Sequence, residues 1–121
     1  MKNYIYGVDF AKPCIYGVDF DGTLCESKWP DIGAPNLLLI DFLKRRRDAG
    51  DQVILVTMRE GMKLDEALKW CSSFGLIFDA VNDNLPQIKG FFGGNPRKIF
   101  CNAYIDDTNV DKAIWKLPYR E

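Results

Sequence analysis

Residues 14–24 read Cys-Ile-Tyr-Gly-Val-Asp-Phe-Asp-Gly-Thr-Leu, an apolar run that closes on two aspartates and a glycine. Its first part, Cys14 to Phe20, is rich in β-branched and aromatic residues, which predicts a strand buried on both faces of a sheet. In extended chain Asp19 and Asp21 stand at i and i+2, so their side chains point the same way. Gly22 lets the backbone turn tightly and present N–H groups to an anion just beyond the strand. Asp-Gly alone often does no more than open a turn. After a buried strand, and followed by Thr23 and Leu24, it reads as part of a site.

Working outward, Gln52 to Thr57 (QVILVT) is a second buried strand, and Leu76 to Val81 and Asn102 to Ile105 are two weaker ones. The segments between them have helical spacing. Asn36 is placed to cap a helix whose inner face carries Leu39, Phe42 and Leu43, with Gly50 as its stop. Leu64, Ala67, Leu68 and Cys71 recur at i, i+3, i+4 and i+7, and Gly75 ends that second helix. Alternating strands and helices predict an α/β fold of three layers, Rossmann-like, with a parallel central sheet of four to five strands. Whether the segment after Val110 adds the fifth is left open by its pattern. In such sheets ligands sit beyond the carboxyl ends of the strands.

The candidate chemistry falls at those ends. Asp19 and Asp21 close the first strand, Thr57 the second, and Asp106 and Asp107 the fourth. Neighbouring parallel strands lie about 4.8 Å apart, close enough for their terminal carboxylates to share one ion. Oxygen ligands without nitrogen or sulfur partners favour a hard cation, Mg²⁺ above all.

Composition excludes several alternatives. The chain has no histidine, so Ser-His-Asp, Cys-His and phosphohistidine chemistry are ruled out, as are Cys/His zinc sets. Sixteen Lys and Arg against seventeen Asp and Glu leave a formal charge of −1, which predicts no general affinity for nucleic acid. No apolar run approaches the roughly 20 residues that span a bilayer, and the N-terminus lacks a signal pattern. The four cysteines form no C-x-x-C pair, so reduced thiols in a cytoplasmic setting are expected.

The motif set resembles the haloacid dehalogenase-like superfamily, whose first motif is a hydrophobic strand ending in D-x-D-G-[TV]. VILVT ending in Thr57 is similar to the second motif, Lys98 in NPRKIF to the third, and AYIDD with Asp106 and Asp107 to the fourth. The likeness runs from Ile15 to about Val110. It implies a Mg²⁺-dependent phosphomonoesterase in which Asp19 attacks phosphorus. Asp21 would protonate the leaving oxygen and then activate water. Asp19, the Asp21 main-chain carbonyl and Asp106 would hold the metal, with Asp107 as a further contact. Gly22, Thr57 and Lys98 would hold the phosphoryl oxygens, with Arg97 as a competitor of Lys98. A phosphate-binding or regulatory protein without turnover is the alternative, and a receiver-type signalling domain fits the motif order badly.

Residues 22–56 and 58–97 are used up by the elements already assigned, so no cap domain is expected. The site should be open, covered at most by Cys25 to Pro35 with Trp29 as a flap residue, or by a partner or second copy. Arg59, just after Thr57, is a candidate substrate contact. The run 90–95 (GFFGGN) reads as a mobile loop, and Lys44 to Arg47 as a solvated basic face. IYGVDF also occurs at Ile5 to Phe10, without the following Asp-Gly. Residues 1–13 are therefore expected to be a non-catalytic extension, with residues 14–121 as the single catalytic domain.

Overall fold

The computed structural model describes residues 14–106, together with the backbone of Tyr4–Ile5 (β1) and Val8–Asp9 (β2). β1 and β2 pair with each other, antiparallel, as a ladder separate from the main sheet. The second copy of the hexapeptide forms β3 (Ile15–Val18), which is buried along its length. Both neighbours of β3 are taken: β6 (Gln52–Leu55) on one side and β8 (Ala103–Ile105) on the other, each parallel to it. With β7 (Ala80–Val81) beyond β6, the sheet order is β7-β6-β3-β8. Asp107 and the segment after Val110 lie outside the described residues, and with them the question of a fifth strand.

Period-two alternation sorts the core into two layers. Tyr16, Val18, Val53, Leu55 and Ile105 join one apolar cluster with the inner faces of α1 (Leu37–Asp48) and α2 (Gly61–Ser73). Ile15 and Ile54 face the opposite side, where Leu85, Ile88 and Ile99 cover them. Successive β-α-β steps through α1 and α2 carry the chain outward from β3 to β7. The chain then crosses back through α3 (Pro86–Phe92) to β8. The switch in direction lies between β3 and β8, which is where such sheets open a crevice for ligands.

Local chemistry explains the helix ends. Asn36 caps α1 by accepting from the Leu39 N–H at 3.2 Å, and its amide donates to the Thr23 carbonyl at 3.1 Å. One side chain thus ties the helix start to the turn that follows Asp21. Leu76 was expected to begin the third strand. Instead its N–H closes α2 on the Cys71 carbonyl, with Gly75 at φ 80, so the chain joins the sheet later. The run 90–95 is also not a plain loop. α3 ends at Phe92 with Gly93 as a left-handed cap, and Phe91 and Phe92 are 81% and 58% exposed.

The basic tetrad differs from a solvated face in the same way. Arg46 is buried and pairs with buried Asp51 at 2.6 Å, while the second Asp51 oxygen accepts the Cys14 N–H at 2.8 Å. Arg47 makes a two-pronged contact to Asp79, whose carboxylate also takes the Val53 N–H at 2.7 Å. Burial pushes the Asp79 carboxyl up, but these donors outweigh it and hold it below the usual carboxylate range. A carboxyl depressed by folding stabilises the fold above its unfolded pKa, and that contribution is lost as pH falls through the folded value. In urea titrations the gap between wild type and Asp79→Asn should be flat at neutral pH. It should close below about pH 4, the ordinary Asp range.

Candidate functional site

Asp19 immediately follows β3. Its N–H donates to the Ile105 carbonyl at 3.0 Å, extending the β3–β8 ladder to the carboxyl ends of both strands. Because Val18 pairs with Ile105 in parallel register, Asp19 and Asp106 are the next residues on adjacent strands at the topological switch. Tyr104 senses both. Burial, then the charges of Asp19 and Asp106, push its hydroxyl above the usual range. On the other flank the Val56 N–H donates to Val18 O, which continues the β3–β6 register so that Val56 is level with Asp19 and Thr57 stands one residue further along.

Past Asp19 the chain makes one tight turn, with the Thr23 and Leu24 N–H groups both donating to Phe20 O. Gly22 sits in it at φ 81, a conformation that costs a side-chain-bearing residue. The turn leads into an antiparallel hairpin, β4 (Cys25–Lys28) and β5 (Asp31–Pro35), with Trp29 and Pro30 at its tip. This is the segment expected to cover the site. Gly33 allows the two arms to close, since a Cβ there would lie 2.4 Å from the Glu26 carbonyl oxygen.

A cavity of about 310 Å³ is lined by Asp19, Asp21, Trp29, Thr57, Met58 and Arg59. Its rim is apolar: Trp29 is 60% and Met58 98% exposed. Thr57 is fixed at both ends, its N–H donating to Asn82 Oδ1 at 2.8 Å and its hydroxyl accepting the Arg59 N–H at 3.1 Å. Asp21 is engaged through both oxygens by the Arg59 guanidinium, at 2.9 and 2.8 Å. Arg59 is buried and directs its remaining N–H groups at the carbonyls of Pro30, Asp31 and Lys63. Arg59, the candidate substrate contact, thus lines the cavity while its guanidinium is held by protein partners. Asp21 in turn holds the Arg59 pKa above its ordinary value, against the effect of burial.

Lys98 is exposed and is not among the residues lining that cavity. Its backbone is held by Asn84, a buried residue whose amide donates to the carbonyls of Lys98 and Pro96 and to Asn95, and accepts the Phe100 N–H. Asn82 and Asn84 were not singled out from sequence as site-building residues. The available signal was the Asn82-Asp83-Asn84 run at a strand end, where Asx side chains replace backbone partners and tolerate positive φ; Asn82 has φ 51.

Among the described residues no three acidic or cysteine side chains form a cation site by themselves. The Asp21 carboxylate is held by Arg59, so any contribution of Asp21 to a cation would come from its main-chain carbonyl. Two carboxylates and a carbonyl still suit Mg²⁺, which keeps several waters and uses few protein oxygens. The donor set fits the ion. The cysteines form no disulfide, and burial pushes Cys71 up to about 12 and raises Cys25 and Cys101. No helix among the described residues is long and apolar enough to cross a membrane.

No family model matches this sequence, and no curated protein does. Among solved structures, a conserved protein from Bacteroides thetaiotaomicron is 37% identical, with a TM-score of 0.71, over 82% of this chain and 79% of that one. At that identity the likeness reaches beyond general α/β architecture.

Proposed function

We propose that this chain, which belongs to the same family as the conserved Bacteroides thetaiotaomicron protein, is a Mg²⁺-dependent phosphohydrolase of the haloacid dehalogenase-like type. The observation that carries the reading is the pairing of Asp19 and Asp106 at the carboxyl ends of adjacent parallel strands, with Asp19, Asp21 and Thr57 around one cavity. A capless form is supported by what lies between the motifs. The hairpin, α1 and β6 fill residues 22–56, and α2, β7 and α3 occupy most of residues 58–97.

Asp19 is the nucleophile. Its carboxylate oxygen bonds to phosphorus as the bond to the leaving oxygen breaks, and Asp21 gives that oxygen a proton. Water then attacks the aspartyl-phosphate, Asp21 takes its proton, and inorganic phosphate departs with Asp19 regenerated. Thr57 and the backbone about Gly22 orient the phosphoryl oxygens, with Lys98 supplying positive charge from the neighbouring loop. Bound between Asp19, the Asp21 carbonyl and Asp106, Mg²⁺ would neutralise the charge that two anions bring together. Asp107 is proposed to join that set from outside the described residues.

A panel of aryl, sugar, nucleotide and peptide phosphates, assayed with Mg²⁺ and with EDTA, tests the reading. Turnover should require the metal and return on its readdition. Asp106→Asn should raise the Mg²⁺ concentration for half-maximal activity by at least roughly tenfold. Mg²⁺ binding with no turnover on any member would favour a phosphate-binding protein instead.

A further inference from the structure

Arg59 belongs to neither the expected nucleophile set nor the metal set, yet it is among the most enclosed side chains of the protein, at 1% exposure. An arginine has five N–H donors in a rigid fork. Here all five are matched: Nε and one Nη2 hydrogen to the two Asp21 oxygens, the other Nη2 hydrogen to Asp31 O at 3.0 Å. Nη1 serves Pro30 O and Lys63 O, each at 3.4 Å. The guanidinium carbon also lies over two rings, Phe20 at 5.0 Å and Trp29 at 4.9 Å. The planar two-pronged contact demands a guanidinium, which a lysine cannot supply.

The partners fall into two groups. Asp21 is the residue read above as the proton donor and acceptor. Pro30, Asp31 and Trp29 are the tip of the β4–β5 hairpin, which borders the same cavity. Lys63, in the first turn of α2, anchors the fork to the body.

We propose that Arg59 is a positioning residue that couples the seat of the hairpin tip to the orientation of the Asp21 carboxylate. Moving the tip removes two acceptors and the Trp29 ring contact from the fork, and the Asp21 geometry is lost with them. The hairpin is thereby a substrate-proximal element whose docking assembles the acid–base group. The part concerning Asp21 rests on the phosphohydrolase reading; the anchoring of the hairpin does not.

Two readouts on Arg59→Lys separate these. Lys28 is exposed and precedes Trp29 at the hairpin tip, so trypsin cuts there when the hairpin leaves the body. Cleavage after Lys28 should quicken by about tenfold or more, the scale of losing charge-assisted hydrogen bonds, while circular dichroism stays unchanged. Turnover of an alkyl phosphate, which needs a proton on its leaving oxygen, should fall by roughly 10²-fold. An aryl phosphate with a good leaving group should lose far less. Equal loss on both substrates, or unchanged Lys28 cleavage, would overturn the coupling. Should Arg59→Lys fail to fold, Asp21→Asn serves in its place. Coupling is reciprocal, so it too must quicken cleavage after Lys28, and failure to do so refutes the proposal. If the wild type hydrolyses neither phosphate, the phosphohydrolase reading falls with the Asp21 part, and the trypsin assay still decides whether Arg59 anchors the hairpin.

Discussion

Phosphatase turnover of the Asp19→Asn protein should be lower than wild type by about 10⁴-fold or more, the scale of loss when a nucleophile is removed. The amide is nearly the same shape as the carboxylate, and the Asp19 contact that extends the sheet is made by its backbone N–H to Ile105 O. Folding should therefore be unaffected, which a matched urea midpoint would check. Acid-quenched wild-type enzyme should carry phosphate on Asp19, and the variant none. Retention of more than a few per cent of the wild-type rate would remove Asp19 from the nucleophile's role. A phosphorylated Asp106 would move the chemistry to the neighbouring strand.

The largest expected loss of stability lies far from that site, in Asp51→Ala. Asp51 and Arg46 have side chains only 2% and 7% exposed, and Asp51 also accepts the Cys14 N–H at the entry to β3. Breaking such a pair by removing one partner costs about 3 kcal/mol or more, because the remaining charge keeps its burial and loses its counterpart. Replacing both residues by apolar ones of similar volume should recover part of this loss. Urea denaturation of the single and double variants measures it. A single-variant loss within about 0.5 kcal/mol, the range of ordinary surface changes, would contradict the buried-pair account.

These two expectations differ in how far sequence alone reaches them. Asp19 was legible because its signal is local: a buried strand, an i, i+2 pair and a glycine within a few residues. The inner face of α1 was legible for the same reason, since Leu39, Phe42 and Leu43 repeat at the helical period and are all buried. Arg46 was not. Within its own helix it is one of four consecutive basic residues, and nothing within a turn of it shows that Asp51 curls back to meet it. Asp79 lies 32 positions from its partner Arg47. Burial of a charge depends on which distant group arrives beside it, and hydropathy patterning carries no information on that.

Element ends show the same division. The strand over Leu76 to Val81 was read as longer than it is because an apolar run cannot reveal that Leu76 spends its N–H capping α2. In α3, Pro86 at the start and Gly93 at the end are the local signals that mark the helix.

By its sequence alone, this protein is determined as an α/β chain with carboxylates at the ends of its strands, because strand period, helix period and turn residues are properties of neighbours along the chain. Tertiary structure alone decided that Asp106 stands in register beside Asp19. It also decided that Lys98 is not among the residues lining the cavity that Asp19 lines, and that Arg59 clasps Asp21 and the hairpin together. Each of those depends on strand order and on the meeting of groups many residues apart. Long-range pairing is selected by the packing of the whole sheet, and no short window of residues encodes it.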